Sequence, residues 1–405
     1  MRMRQVVLAG VVLAALAAAA AAEDASAPPA NEKPAGVTQG PPGVPPAAPS
    51  RSPLGLFCLT GDAEFNFTAQ RRSRGVFEGA AGPLLLWQPA ERLLVELGLD
   101  LSLANNPQTG KADKSATPVH ANISYIVNDR LVVGGGLFDV PFGAFRTHFD
   151  SSWINRLPDA PLPFGDGGIA PDTGVGVFAM GAFPAGDQRF TYNLWLVNGP
   201  TVITDDPDAA GSLDFENFHN FEYTSKSNCL RDFGGRVAWI PVPAFEIGYS
   251  IQYGRVNPRG FEGLHALLQG VDISFVKEFD EIKGTVRAQA EWIWSNVQDA
   301  TYDPTGALKF GPLRFSNERN GGFALLSYRP TKCGNNVLRN TEFVIRYDRL
   351  GIPEEAPGGG NEERWTEGVD YWIAPSVVVK VAYEWDRKQG SPDGHALLFQ
   401  FAVGF

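Results

Sequence analysis

The side chains that could do chemistry in this sequence are charged residues set at every second position of long apolar segments. In residues 341–349, Glu342 and Arg346 fall on one side of an extended strand, whereas Phe343 and Ile345 fall on the other. Carboxylate and guanidinium groups that line a water-filled passage set its electrostatic potential, and so select among the ions and solutes that cross it. Because both signs occur on one side, the pattern favours passage of small hydrophilic solutes with weak ion preference over the making or breaking of bonds.

Motifs for bond-making chemistry are absent from the sequence. No G-x-S-x-G, P-loop or H-E-x-x-H motif occurs, and the five histidines are scattered without metal-ligand spacing. The formal net charge of −11 argues against a nucleic-acid partner. We expect no enzymatic activity, no cofactor and no metal site.

Apolar runs with period 2 recur along most of the chain and predict β-strands. They exceed the roughly 5–6 residues of an ordinary globular strand and match the roughly 9–11 residues of a tilted strand crossing a bilayer. Their polar sides carry both signs of charge, which suits a water-filled lumen and argues against the core of a soluble β-sandwich. About sixteen strands are predicted, near 57–68, 76–87, 92–104, 117–127, 130–139, 173–183, 189–198, 232–241, 244–255, 264–276, 282–297, 319–330, 338–350, 364–374, 376–387 and 394–405.

The connections between these strands alternate between short and long, as expected for short periplasmic turns and longer external loops. The long connections lie near 105–116, 140–172, 199–231, 298–318 and 351–363. An even number of strands places both ends of the barrel on one side. Sixteen strands also enclose an aqueous channel, whereas eight would be filled by side chains. The predicted fold is all-β, a transmembrane antiparallel β-barrel of about sixteen strands.

The sequence divides into three regions. Residues 1–22 have a positive start and an apolar, Ala-rich continuation, which indicates a signal peptide. Residues 23–53 are rich in Pro and Ala and predict a disordered periplasmic linker. Residues 54–405 form the predicted barrel, and its last strand ends on Phe405 of the apolar side, which resembles the closing strand of Gram-negative outer-membrane barrels. We therefore expect the protein in the outer membrane, surrounded by lipid.

Several segments, taken in order along the chain, resemble the phosphate-selective porin O and P family. A strand containing Gly136 and Phe138 runs into Pro141, Phe142 and Gly143 and then into a long loop. The further matching segments are 192–200, which ends in Asn-Gly-Pro, 342–348, which reads E-x-V-x-R-Y-D, 370–375 and the closing Phe405. The resemblance covers most of residues 57–405.

This resemblance implies a sixteen-stranded porin, trimeric, whose third external loop folds into the lumen. The strand count independently makes 140–172 the third external connection. That segment is rich in Pro and apolar residues, including Trp153, which favours packing against the inner wall over exposure to solvent. An external cap or a protein-contact loop is the alternative.

The predicted pore-lining charges are of mixed sign. They are Arg146, Arg156, Arg287, Glu291, Glu342, Arg346 and Lys380. Because passage of phosphate needs clustered positive charge, phosphate selectivity is not expected from this set. The predicted function is a passive porin for small hydrophilic solutes or ions. The alternative is a plugged structural or binding barrel, and an outer-membrane barrel enzyme is disfavoured because no convincing Ser/His or Asp/His pair is present.

Aromatic residues and cysteines give two further expectations. Trp and Tyr occur near predicted strand ends, where they would form aromatic girdles at the two membrane interfaces. These residues are Trp87, Tyr125, Trp239, Tyr328, Tyr371, Trp372 and Trp385. Three cysteines allow at most one disulfide. A bridge between Cys58 and Cys333 and free thiols at Cys58, Cys229 and Cys333 both remain open.

Overall fold

The computed structural model describes residues 55–70, 75–105, 111–165, 167–203, 209–215, 232–256, 263–302 and 312–405. The expected signal peptide, the expected linker and Cys229 lie outside these ranges.

Sixteen strands close into one antiparallel barrel, in which each strand pairs with the next along the chain and the last pairs with the first. The barrel strands are β1 (Leu56–Gln70), β2 (Val76–Ala90), β3 (Leu93–Asn105), β4 (Ala112–Asn128), β5 (Leu131–Asp139), β6 (Thr173–Ala185), β7 (Gln188–Val197), β10 (Asp232–Val242), β11 (Phe245–Arg255), β12 (His265–Phe279), β13 (Gly284–Val297), β16 (Asn317–Arg329), β17 (Thr341–Ile352), β18 (Gly360–Ala374), β19 (Val377–Lys388) and β20 (Gly394–Gly404). Two small hairpins lie in long connections, β8 (Thr201–Val202) with β9 (Leu213–Asp214) and β14 (Thr301–Tyr302) with β15 (Leu313–Arg314). The predicted sixteen-stranded antiparallel barrel is confirmed.

Helices are short. A π-helix spans Phe145–Phe149, a 3₁₀-helix spans Leu162–Phe164 and an α-helix spans Asn336–Arg339. Across the described ranges, none of them has the length and apolar character needed to cross a membrane. The same ranges contain no group of three or more His, Cys, Asp and Glu side chains arranged to hold a metal ion.

Connections at one end of the barrel are mostly short, and we call this the turn end; the opposite end is the loop end.

The turn-end connection between β16 and β17 is longer than predicted. The strand expected at 338–350 begins only at Thr341, because Asn335 caps a helical turn by accepting hydrogen bonds from the N–H groups of Val337 and Leu338. An N-cap of this kind satisfies amide groups that would otherwise start the strand ladder.

The two faces of the wall differ sharply in composition. Outward positions are exposed and apolar, for example Leu97, Leu99 and Leu101 on β3, whereas the alternating inward positions Glu96 and Asp100 are buried. A continuous exposed apolar surface of this size calls for contact with lipid or protein.

Trp372 was predicted to lie in an aromatic girdle facing the membrane interface, and this prediction is wrong. Its side chain faces inward because its alternation phase is that of Asp370, and only 5% of it is exposed.

The barrel closes through pairing of β1 with β20. Phe65 stands opposite Phe401, and the N–H groups of Gly61 and Phe405 each donate to the other residue's carbonyl at 3.0 Å. Cys58 on β1 and Cys333 near the turn end are free thiols, so the bridge that the sequence left open is not formed.

The backbone of β2 restricts the residue at position 61. Gly61 has φ of +146°, and a Cβ there would overlap the backbone of Gly82 on β2. We expect Gly61→Ala to lower the free energy of unfolding by about 2 kcal/mol or more, because both the dihedral angle and the clash oppose it. Gly79→Ala on the same sheet, where nothing lies within 4 Å of an added Cβ, should change it by less than about 0.5 kcal/mol. Urea titration of both variants in detergent, followed by tryptophan fluorescence, would compare them; equal losses would contradict the prediction.

Candidate channel constriction

The long connection between β5 and β6, residues 140–172, lies against the inward face of the barrel wall. Its first turn crosses to the far strands. The N–H of Gly143 donates to Ser250 Oγ on β11 at 3.0 Å, and the N–H of Phe145 donates to Glu291 Oε2 on β13 at 3.0 Å. Glu291, predicted as a pore-lining charge, thus holds the backbone of this loop.

The motif residues at the start of the loop are packed inside the barrel. Gly136 pairs with Asn122 in the β4–β5 ladder, and Phe138 packs edge-on against Phe178 with ring centroids 4.7 Å apart. Pro141 borders a small pocket that Phe138 also lines. Phe142 is fully buried and lies over Gly270 of β12, which leaves it room.

Aromatic contacts anchor the middle of the loop. The rings of Phe145 and Phe164 lie 4.8 Å apart, and both contact Phe323 of β16, at 5.8 and 6.1 Å. Such edge and tilted ring pairs add to the free energy gained by burial of apolar area. The two helical turns of the loop are therefore fixed to one patch of wall.

Arg146 braces the loop internally. Its guanidinium pairs with Asp150 at 2.8 Å and Asp172 at 3.3 Å, and it donates to the carbonyl of Phe164 at 3.1 Å. Burial by itself would lower the pKa of Arg146, but these two carboxylates outweigh it and raise the pKa. The predicted pore residue Arg146 is therefore a buried cation that joins the two ends of the loop.

Lys380 on β19 holds the second half of the loop. This fully buried ammonium donates to the backbone carbonyls of Ser152 at 2.6 Å, Asn155, and Leu157 at 3.5 Å. Ser152 in turn donates through its N–H and its hydroxyl to Asp62 of β1, at 2.9 and 2.6 Å. A buried charge needs such a shell of partners, because it has left water.

Trp153 and Arg156 place the loop against the turn-end half of the wall. Trp153 packs against Trp372, Val378 and Ala402. The guanidinium of Arg156 lies 4.8 Å from the Trp372 ring and pairs with Glu342 Oε1 at 3.1 Å. Glu342 also accepts from the Ser327 hydroxyl at 2.6 Å and the Trp372 indole N–H at 2.9 Å.

A second ion-pair network holds the tip of the loop. The guanidinium of Arg346, fully buried on β17, pairs with Asp159 of the loop at 2.6 Å and with Asp348 at 2.7 Å. Arg364 on β18 adds a contact to Asp159 at 3.3 Å. Burial alone would raise the pKa of Asp159, but the charges of Arg346 and Arg364 outweigh it and hold the pKa below the ordinary value.

Arg287 differs from the other predicted pore residues. It is half-buried on β13, within electrostatic range of Arg156 and Glu342. In the described part of the chain, no hydrogen bond or ion pair joins its guanidinium to another residue. Arg329 at the end of β16 lies 5.4 Å from the Trp372 ring. Arg156, Arg287 and Arg329 lie around Glu342, whose cross-strand neighbour Asp370 is a second inward carboxylate. Three cations and two carboxylates leave this part of the lumen with an excess of positive charge.

The loop-end side of the loop borders a cavity of about 840 Å³. The charged side chains around it are mainly acidic and include Glu64, Asp150, Asp159, Asp172, Asp214 and Glu362, together with Arg146, Arg364 and Lys388. The two sides of the loop therefore differ in charge, acidic toward the loop end and basic around Arg287.

The predicted residues thus lie together at the loop, but sequence reasoning missed several of their partners. Asp62 had a usable signal, since it shares the inward phase of Glu64 on β1. Trp372 had the same signal, as the neighbour in phase of Asp370. Asp159 had none, because it lies in an irregular segment whose path is set by tertiary contacts.

Comparison with known proteins bears on the fold. No family model and no curated protein matches the sequence. The structure is similar to OprB of Pseudomonas putida, with a TM-score of 0.54 at 8% identity over 86% of this chain and 94% of that chain. It is also similar to OmpF of Salmonella typhi in complex with daunomycin, with a TM-score of 0.53 at 10% identity over 86% of this chain and 97% of that one. The anion-selective porin from Comamonas acidovorans gives 0.51 at 10% identity, over 86% and 99%. The fold is the porin barrel.

Docking of the loop depends on a glycine at position 143. Gly143 has φ of +76°, and a Cβ there would overlap the carboxylate of Glu291. We expect Gly143→Ala to displace the start of the loop and to speed limited proteolysis within 143–160 severalfold. Gly167→Ala is the matched control, because its φ of +74° imposes the same strain with nothing within 4 Å of the added carbon. Identical cleavage rates for the two variants would show that the overlap with Glu291 is unimportant.

The Asp159 network predicts a pH dependence. Because the pKa of Asp159 is lowered in the folded protein, its stabilising effect is complete above the ordinary value of 3.8 and is lost as the pH falls through the folded-state pKa. Hydrogen exchange around residue 159, corrected for the intrinsic rate, should stay slow from neutral pH to about 5 and rise at pH below 3.8. Asp159→Asn should exchange fast at every pH. Equal exchange rates in the wild type and in Asp159→Asn at neutral pH would contradict this assignment.

Proposed function

We propose that this chain is a Gram-negative outer-membrane porin through which small hydrophilic solutes or ions diffuse. The observation that carries the proposal is the separation of side chains by the wall, with apolar residues outside and charged residues inside a closed barrel. A closed barrel leaves no unpaired strand edge, which is the condition for β-structure in lipid. The likeness to the porin barrels named above supports it.

Orientation follows from the connections. Turn-end connections such as that between β18 and β19 are at the opposite end from the long loops, and both Gly55 and Phe405 lie at the turn end. In the proposed orientation the turn end faces the periplasm, where the expected linker of residues 23–53 would follow removal of the signal peptide 1–22. The loop end then faces the exterior.

The loop 140–172 is proposed as the constriction. It contacts inward side chains from β11 through β20 and β1, so it narrows the lumen over much of the wall. Arg287 and Arg156 are the proposed solute-facing charges, since Arg287 has no partner among the described residues and Arg156 is half-buried over the Trp372 ring. Arg346, Lys380, Glu291 and Arg146 are proposed to fix the loop in place.

The relation to the phosphate-selective O and P family is part of the proposal and rests on the order of the sequence motifs. Phosphate selectivity is not part of it. The charges on the two sides of the loop have opposite sign, and only a small group of three arginines lies around Glu342. The proposed partners are outer-membrane lipid and two further copies of the chain in a homotrimer.

One observation favours a second candidate, a barrel plugged by its own loop. Inward residues such as Arg236, Lys380 and Gln252 are almost fully buried, so part of the lumen is filled with protein. A plugged barrel would serve in binding or envelope structure and would carry no steady current.

Planar-bilayer recording of the full mature chain under a KCl gradient tests the proposal. We expect steady conductance, and we expect Arg287→Glu to shift the reversal potential toward cations by about a twofold change in permeability ratio or more, since reversal of a unit charge beside the path changes the local potential. Arg387→Glu, the same change at an exposed outward site, is the control and should leave the potential unchanged. A silent bilayer from folded protein would favour the plugged barrel, and equal shifts in both variants would remove Arg287 from the path.

A further inference from the structure

One stretch of the outward wall carries no carboxylate. On β7 and β10–β13 the alternation of side chains places only glycine and apolar, aromatic, amide and basic residues outside. On β18, by contrast, Glu363 and Glu367 face outward. Among the described strands, the outward carboxylate nearest to β11 at the loop end is Glu318 of β16, three strands away. An anion near the loop end of β11 therefore meets no like charge on the adjacent described strands.

A cavity of about 240 Å³ opens on this face at the loop end, and it is lined by Phe233, Tyr253, Gly254, Arg255 and His265. Arg255 is the last residue of β11, and His265, directly opposite it in the ladder, is the first residue of β12. Tyr253 and its cross-strand neighbour Phe233 stand one outward position nearer the middle of the wall, with their rings 5.8 Å apart. The cavity therefore has basic side chains toward the loop end and aromatic rings toward the membrane interior.

His265 is held in a fixed position. Its backbone N–H donates to Gln298 Oε1 at 3.2 Å, and its carbonyl accepts from the N–H of Gln298 at 3.0 Å. Its ring stacks on that of Tyr253 with centroids 5.4 Å apart, and the Tyr253 hydroxyl lies 2.8 Å from Nδ1. When that hydroxyl donates to Nδ1, the proton of the neutral imidazole is on Nε2. Nε2 is then a hydrogen-bond donor, and none of the described residues accepts from it.

Arg255 supplies the positive charge of the cavity. Its side chain is exposed, and no carboxylate in the described ranges pairs with it. A guanidinium presents several N–H donors in one plane, and this arrangement matches the oxygen atoms of a phosphate. Arg387, an outward arginine near the loop end of β19, differs because Asp393 lies 3.7 Å from it. The guanidinium of Arg255 is thus available to an anion from outside the chain.

We infer that this cavity binds the phosphate group of an anionic lipid of the outer leaflet. Arg255 and Nε2 of His265 donate hydrogen bonds to phosphate oxygens, and the rings of Phe233 and Tyr253 contact the glycerol and the adjoining part of the acyl chains. The inference rests on the proposed function, because it takes the loop end to be the outer face of the membrane. It goes further, since it assigns one site and one headgroup chemistry to the lipid.

A lipid fits this cavity better than dissolved phosphate does. Phe233 is 58% exposed and Tyr253 is 38% exposed, and a free anion in water would leave both rings uncovered. Aromatic rings at a membrane interface contact the headgroup and the acyl chain together. The order of the side chains, basic at the loop end and aromatic below, matches the order of phosphate and acyl chain in a lipid of the outer leaflet.

Native mass spectrometry of the full mature chain in a neutral detergent measures how tightly phosphatidylglycerol binds. We expect Arg255→Gln to weaken binding about fivefold, because one arginine near an anionic lipid surface contributes an effect of that order. Arg387→Gln is the matched control and should bind as the wild type does. Phosphatidylcholine with the same acyl chains should bind more weakly, since its ammonium group offsets the phosphate charge.

Three results would overturn the inference. They are equal affinities in the wild type and Arg255→Gln, a loss in Arg387→Gln as large as that in Arg255→Gln, and displacement of the lipid by an excess of inorganic phosphate. The last result would show a site for the free anion.

A double variant tests the role of the histidine. Tyr253→Phe removes the hydroxyl at Nδ1 and keeps the ring, so we expect phosphatidylglycerol to bind about twofold more weakly. In a His265→Gln background the same change should have no further effect, since the hydroxyl acts through the imidazole. Equal losses in both backgrounds would show that His265 is not the second donor, and would overturn the site as assigned.

Planar-bilayer conductance of Arg255→Gln separates this inference from the proposed function. Current without selective lipid binding rejects only the lipid site. Selective binding to a barrel that carries no current rejects only the channel.

Discussion

The backbone N–H and C=O groups of the barrel strands depend on neighbouring strands for hydrogen bonds, and pairing of β1 with β20 gives each of the sixteen described strands a neighbour on both sides. That single closure permits everything else. Once no edge remains, the outer surface can be entirely apolar, and the inner surface can carry charges that a compact soluble core would exclude. The exchange of hydrogen bonds between Gly61 and Phe405 shows how tightly the last residue of the chain is tied into this ring.

Closure also creates an interior space, which is partly filled by the chain itself. The loop 140–172 enters it, and pairs of wall residues bind the loop at three places. Ser250 and Glu291 bind its first turn, Asp62 and Lys380 bind its second half, and Arg346 and Arg364 bind Asp159 at its tip. Aromatic packing against Phe323 adds an apolar anchor between them. Most of the predicted pore-lining charges therefore stabilise the loop, and the proposed solute-facing charges are Arg287 and its neighbours.

The strands were predictable because alternation of polar and apolar residues with period 2 is a local property of the sequence. A wall with a polar inner face and an apolar outer face requires this alternation in nearly every strand. The same phase placed Glu342, Arg346 and Lys380 inward. The errors have equally local causes. The helical turn capped by Asn335 delayed β17, and Trp372 was assigned by residue type to an interface although its phase placed it inside. What a side chain meets across the lumen, such as Asp159 against Arg346, has no period and could not be derived from the sequence.

Lys380 donates hydrogen bonds to the backbone carbonyls of the loop residues Ser152, Asn155 and Leu157. Every amino acid supplies a backbone carbonyl, so these hydrogen bonds do not depend on which side chains occupy those three positions. A loop held in this way can exchange side chains over evolutionary time while its path through the barrel stays the same. The geometry of the passage and its chemical preference are thereby separable, and new solute preferences can arise by point substitutions on an unchanged scaffold.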